Sequence, residues 1–201
     1  IQGESTTTGL PTVFVRLTGC PLRCTYCDTA YAFTGGQQMS VEMVIDEVEK
    51  FGVNRVTVTG GEPLAQPECI SLLKTLCDQG FAVSIETSGA LAINKIDPRV
   101  TKVMDLKTPS SGEHRRNLYD NLAHLNEDDE IKFVISDRED YDWAKTTITD
   151  HNLVECVHVL LSPNHQALHP RELGEWILRD RLPVRLQVQL HKYLWGDEPG
   201  R

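Results

Sequence analysis

The sequence has no apolar run near the ~20 residues that a membrane-spanning helix requires, so no such span is expected. It shows no signal peptide either. Basic residues are in deficit: 20 Lys and Arg stand against 29 Asp and Glu, for a formal net charge of -9. An acidic surface repels phosphate backbones, which argues against direct nucleic-acid binding. The one short basic run, Arg115 and Arg116 after His114, reads as a solvated loop. Aromatics are few, at 6%, yet a hydrophobic fraction of 40% is enough for one core in 201 residues. Internal repeats, low-complexity stretches and linkers are also lacking, so one domain spanning 1–201 is expected. The sequence opens on Ile1 rather than a methionine, and an N-terminal strand missing before residue 1 is one expectation.

What is there alternates between strand and helix patterns. Short β-rich runs occupy 12–17, 55–59, 82–86, 102–106, 130–135, 157–161 and 184–190. Ser40 suits an N-cap; Val41, Val44, Ile45, Val48 and Phe51 then share a helix face, and Gly52 ends it. A second helix is expected over 66–80, with Ile70, Leu73, Leu76 and Cys77 on one stripe. A third begins near Pro170 and carries Leu173, Trp176 and Ile177. The polar stretch 110–129 reads as a loop or a short helix with few core contacts. Such alternation implies right-handed crossovers and a mostly parallel sheet. Four strands end in polar or glycine-rich loops: Thr59-Gly60-Gly61-Glu62-Pro63, Glu86-Thr87-Ser88-Gly89, Lys107-Thr108-Pro109-Ser110 and Ser162-Pro163-Asn164. In barrel-like α/β folds that edge carries the chemistry, so the four loops predict one shared site.

The sharpest signal is Cys20, Cys24 and Cys27, a C-x3-C-x2-C run directly after a strand. Three thiolates this close can hold three corners of a [4Fe–4S] cubane. No fourth cysteine is near in sequence, which leaves one iron open to a ligand with an amino and a carboxylate group. A zinc site or an electron-transfer cluster would want a fourth ligand at short spacing. A disulfide with one spare thiol is a further alternative, but three crowded and three scattered cysteines suit a metal site in a reducing, cytoplasmic setting. Cys69, Cys77 and Cys156 read as buried core thiols. Gly60-Gly61-Glu62-Pro63 alone would be an ordinary tight turn.

Taken together, the triad, Tyr26 before its last cysteine, and the Gly-Gly-Glu-Pro run resemble the radical S-adenosylmethionine superfamily. Within it the chain resembles the 7-carboxy-7-deazaguanine synthase family. The resemblance rests on Ile1-Gln2-Gly3-Glu4-Ser5, Phe14-Val15-Arg16-Leu17-Thr18-Gly19-Cys20, Cys27-Asp28-Thr29, Glu86-Thr87-Ser88-Gly89 and Gln189-Leu190-His191-Lys192-Tyr193. It implies a partial TIM-like barrel, α/β, with mostly parallel strands and helices outside. It also implies a radical carbon–nitrogen lyase that contracts the ring of 6-carboxy-5,6,7,8-tetrahydropterin with loss of ammonia. The implied cofactors are a [4Fe–4S] cluster, S-adenosyl-L-methionine and Mg²⁺, and the chemistry needs no general-base triad. An electron donor such as flavodoxin and a homodimer are implied partners.

The same resemblance places residues. Gln2, Gly3, Glu4, Gly61 and His191 would meet the pterin, with His191 ending the last strand. Arg16 would pair with its carboxylate; read alone, an arginine inside an apolar strand needs an anion, whether substrate or a structural salt bridge. Thr29 would contact Mg²⁺, completed by substrate oxygens and water. Tyr26, Cys27, Thr59, Gly60, Gly61, Glu62, Glu86, Ser88, Ser136 and Ser162 would hold S-adenosylmethionine. Asp28 ranks below Thr29, since extended backbone turns it to the other side. The tail 194–201 is longer than the resemblance suggests, and Trp195 would cover the site or a dimer surface. A glycyl-radical-enzyme activase shares the triad and small size but gives Arg16 and His191 no reason to face a pocket.

Overall fold

Seven strands form one sheet whose spatial order is the chain order: β1 (Val13–Leu17), β2 (Arg55–Gly60), β3 (Ala82–Thr87), β4 (Thr101–Asp105), β5 (Glu130–Ile135), β6 (His158–Pro163) and β7 (Arg185–Leu186). All pairings are parallel, and the computed structural model, which describes residues 1–196 and 198, pairs no strand of β1 with β7. The result is a partial, open barrel.

Alternation along the strands sets its two faces. Val56, Val58, Ile85, Met104, Ile131, Phe133 and Ile135 point outward into the core beneath the helices. The alternate positions face in and are largely polar: Thr57, Thr59, Ser84, Glu86, Asp105, Glu130 and Lys132 bond one another, Lys107 or the N-terminal segment. A full barrel is filled by branched apolar layers. Here the interior is hydrophilic, and residues 1–10 run through it.

Four helices cover the outside. In α1 (Val41–Glu49) the Ser40 hydroxyl accepts from the Met43 N–H, and Ile45 and Val48 are buried. Phe51 falls beyond the last turn and is exposed, which corrects its place on the apolar face. In α2 (Cys69–Asp78) the buried set is Cys69, Leu72, Leu73 and Leu76, with Ile70 and Cys77 only partly covered. α4 (Pro170–Asp180) buries Leu173 and Ile177 as its spacing predicts. α3 (Arg138–Asp150) was not marked by its sequence pattern: Tyr141, Ala144, Thr147 and Ile148 make a mixed buried face. Cys156 is exposed, not a core thiol, because it lies in the turn before β6.

Two crossovers lack a helix. The β3–β4 connection buries Ile93, Ile96 and Val100, and the β4–β5 connection is three 3₁₀ turns, Pro109–Ser111, His114–Arg116 and Tyr119–His124. Asn121 stitches the two together, donating to the Gly89 and Leu91 carbonyls and accepting from the Ile93 N–H. The expected strand over 184–190 is cut to two residues. Gln187 turns its amide inward to Thr8 and to the Val188 carbonyl, and a short helix, α5 (Leu190–Trp195), follows. His191 therefore sits in the first turn of a helix rather than at a strand end. The end of the tail lies outside the described residues, apart from Glu198.

Candidate active site

The strands' C-terminal ends open into a cavity of about 580 Å³. Cys20, Cys24 and Cys27 line one end of it, half-buried and free of disulfides. Their loop is pinned from two sides. Thr25 donates through N–H and hydroxyl to the Ser111 and Ser110 carbonyls, and the Arg23 N–H donates to Glu113 at 2.6 Å. Behind the loop, Gly60 and Gly61 let β2 approach the end of β1. A Cβ on Gly60 would strike the Leu17 carbonyl, and one on Gly61 would strike the Gly19 carbonyl and press on Cys20. The Gly-Gly pair is thus a steric requirement of the cysteine loop.

Burial pushes the Cys24 thiol up to about 11, an effect Lys107 partly offsets, and it raises Cys20 too. Three soft sulfur donors on one loop fit an iron–sulfur cluster, whose irons displace those protons on binding.

Glu62, fully buried, departs from its expected role. It lines no part of the cavity: its carboxylate accepts from the Thr87 hydroxyl, the Ser88 N–H and hydroxyl, and the Leu64 N–H. It ties the β2 loop to the β3 loop and so aims the glycines. Ser136 is also off the cavity; its hydroxyl accepts from Asn164, which does line it. Ser88, Ser162, Thr59, Gly60, Gly61 and Glu86 all line the cavity, as do Tyr26 and Cys27. Tyr26 turns its ring inward; burial, then the Asp105 charge, raise its phenol to about 12.

Opposite the cysteines lie the residues expected to meet substrate. Gln2 is buried, and its amide accepts from the Glu4 N–H while donating to Glu86 and Thr57. Gly3 leaves room for His191, whose ring occupies the space a Cβ would take. Arg16 reaches the Gly60 carbonyl at 3.5 Å and lies 5.8 Å from the Tyr31 ring centroid. Among the described residues it has no carboxylate partner, so the structural salt bridge is absent. Thr29 lines the cavity with its hydroxyl 3.9 Å from the Cys27 sulfur. Asp28 lines it too, bonded to Gln189; burial opposes its charge, but that bond and nearby Lys192 hold its carboxyl below the ordinary range.

The sequence did not single out Asp105, Lys107 and Lys132. Lys107 pairs with Asp105 at 2.9 Å and Lys132 with Glu4 at 2.7 Å, both on the cavity floor. The available signal was alternation: each falls at an inward position of β4, its loop or β5.

Residues 14–105 match the family model described as Radical SAM superfamily. The chain is 45% identical to the 7-carboxy-7-deazaguanine synthase of Chlorobaculum tepidum, covering 98% of this chain and 91% of that protein. It is 42% identical to the synthase of the same name from Koribacter versatilis, covering 98% and 94%. Among solved structures, Streptococcus suis SuiB bound to S-adenosylmethionine superposes with a TM-score of 0.59 at 16% identity, over 88% of this chain and 46% of that one. TYW1 with a lysine-pyruvate adduct gives 0.58 at 16% identity, over 84% and 71%. These two bear on the fold alone.

Proposed function

The chain belongs to the 7-carboxy-7-deazaguanine synthase family of the Radical SAM superfamily, and on that footing we propose that its cavity contracts 6-carboxy-5,6,7,8-tetrahydropterin to 7-carboxy-7-deazaguanine with loss of ammonia, as a carbon–nitrogen lyase. One observation carries the residue assignment: Arg16, with no acid partner among the described residues, shares a cavity with three free thiols. When bound, the [4Fe–4S] cluster supplies an electron that splits S-adenosylmethionine into a radical able to take a hydrogen atom from the pterin.

The chain's part is to bind, orient and keep dry. Cys20, Cys24 and Cys27 hold the cluster. Gly60 and Gly61 offer backbone at close approach, with Thr59, Ser88 and Ser162 supplying hydroxyls for S-adenosylmethionine, and the backbone of Tyr26 and Cys27 beside them. Arg16 takes the substrate carboxylate in a two-pronged pair. Glu4, whose backbone N–H Gln2 accepts, presents an acceptor to the donor-rich pterin edge, and Glu86, bonded to Gln2 and Thr59, joins the groups for S-adenosylmethionine. His191 closes the pocket over Gly3. Thr29, with Asp28 behind it, offers a place for Mg²⁺, completed by substrate oxygens and water. A flavodoxin-type donor, a homodimer, a cytoplasmic setting and one domain over the whole sequence complete the reading. No helix among the described residues is long and apolar enough to cross a membrane.

The test is anaerobic turnover of cluster-loaded protein with reductant, S-adenosylmethionine, Mg²⁺ and the tetrahydropterin, read by mass spectrometry. A product of the mass of 7-carboxy-7-deazaguanine, dependent on S-adenosylmethionine, is expected. Deoxyadenosine without that product would keep the superfamily chemistry and remove the substrate.

A further inference from the structure

A lysine inside a sheet is costly unless its charge is matched. Lys132 stands mid-strand on β5, 14% exposed at its side chain, on the floor of the cavity. Carboxylates face it from three other elements: Glu4 of the N-terminal segment at 2.7 Å, Asp105 of β4 at 3.9 Å, and Glu86 of β3 through its charge. Lys107 already neutralises Asp105, and Gln2 and Thr59 bond Glu86. Glu4 therefore depends on Lys132 more than the others do. Its Oε2 is held by the ammonium, and its Oε1 has no protein partner among the described residues.

We propose that Lys132 is a positioning residue for substrate recognition: its ammonium holds Glu4 so that one carboxylate oxygen is presented, charged and fixed, to an N–H donor of the substrate ring. This rests on the function proposed above and adds to it the residue that makes Glu4 an acceptor. Without the cation, the Glu4 carboxylate would stand beside Glu86 and Asp105 with nothing to hold it, and like charges would turn it away from its present orientation. A carboxylate turned aside no longer meets a fixed donor, and the donor edge of the ring would lose its partner. Burial alone would lower the Lys132 ammonium, but Glu4, Asp105 and Glu86 outweigh it and hold it well above its ordinary range. So firmly kept a proton is a poor catalyst of ammonia departure, which assigns Lys132 to position rather than to acid catalysis.

The experiment compares steady-state kinetics of wild type, Lys132→Met, Lys132→Arg, Glu4→Gln and the double variant Lys132→Met/Glu4→Gln, all matched for iron per chain. Expected is a rise in KM for the tetrahydropterin of about tenfold or more in Lys132→Met, from one lost charge-assisted bond, with kcat reduced much less. Lys132→Arg restores most of it. The double variant is no worse than the poorer single one within about twofold, because both substitutions remove the same ion-paired carboxylate. Equal loss in kcat and KM for Met and Arg alike, or additive effects in the double variant, would make Lys132 merely structural and overturn the proposal. So would an unchanged KM in Lys132→Met with wild-type turnover intact, leaving the proposed function standing. Absence of product from loaded wild type removes the function and this proposal with it.

Discussion

Arg16 is set apart by what it lacks. It comes from β1 into the cavity, touches one carbonyl at 3.5 Å, and meets no acid among the described residues. A guanidinium kept this way is held ready for an anion, and a pterin carboxylate matches its fork. Arg16→Ala is expected to cut kcat/KM for the tetrahydropterin about 10- to 100-fold, the scale of a charge-assisted pair. Iron content should not move, since the loop is pinned by Ser110, Ser111 and Glu113, none of which Arg16 bonds. A variant with normal turnover would move the carboxylate elsewhere. Gly61 makes the opposite kind of prediction. Its missing Cβ is what lets Gly19 and Cys20 pack against β2, so Gly61→Ala must displace the cysteine loop. Overpacking of this kind costs about 1–3 kcal/mol, and iron bound per chain after reconstitution should fall with it. Full iron loading in the alanine variant would show that the loop gives way freely.

At the scale of elements, β5 fastens the N-terminal segment. Glu130 accepts from the Thr6 N–H at 3.0 Å and from its hydroxyl, while Lys132, two residues on, holds Glu4. Burial pushes the Glu130 carboxyl above its ordinary range, and the Thr6 bonds offset only part of that. The folded chain thus binds this proton more tightly than the unfolded chain, whose carboxyl titrates near ~4.3. Stability from this group is full below that value and declines as pH rises through the higher folded value. Glu130→Gln should flatten that part of the profile when the thermal midpoint is followed from about pH 4 to about pH 6; an unchanged slope would assign it to another group. Elements also show where sequence reading stopped. α1 and α4 were legible because Ile45, Val48, Leu173 and Ile177 repeat at helical spacing behind a recognisable start. α3 was not, because it packs through Tyr141, Ala144 and Thr147 and holds a buried Asp140 that caps the Ser110 and Ser136 amides. The run before His191 looked like a strand since Val184, Leu186, Val188 and Leu190 alternate, but after the Gln187 N–H bonds the Leu161 carbonyl the chain leaves β6 and turns into α5.

Over the whole molecule, the apolar core and the reactive cavity lie on opposite faces of one sheet. The thiols, glycines and strand-end hydroxyls were readable because cysteine spacing and loop position are local properties. The charged floor was not, since a lysine such as Lys132 counts as solvated until the strands curl and turn it inward. That curl leaves a hydrophilic lumen, which an open barrel of seven strands cannot fill with its own side chains. Residues 1–10 fill it instead: Gln2 bonds Glu86, Glu4 bonds Lys132, Thr6 bonds Glu130 and Thr8 bonds Gln187. Deleting them should strand several buried polar groups at about 1–3 kcal/mol each, lowering the thermal midpoint by roughly 10 °C or more in a chain of this size. The cysteine loop is fastened elsewhere, by Ser110, Ser111 and Glu113, so the truncated protein should still take up iron. Its capacity to bind the pterin should be lost, because Gln2 and Glu4 leave with the segment and His191 loses its seat on Gly3. Iron uptake with no pterin binding by calorimetry is the expected pair of results. Loss of both would mean that the lumen, not the loop, holds the cluster end together.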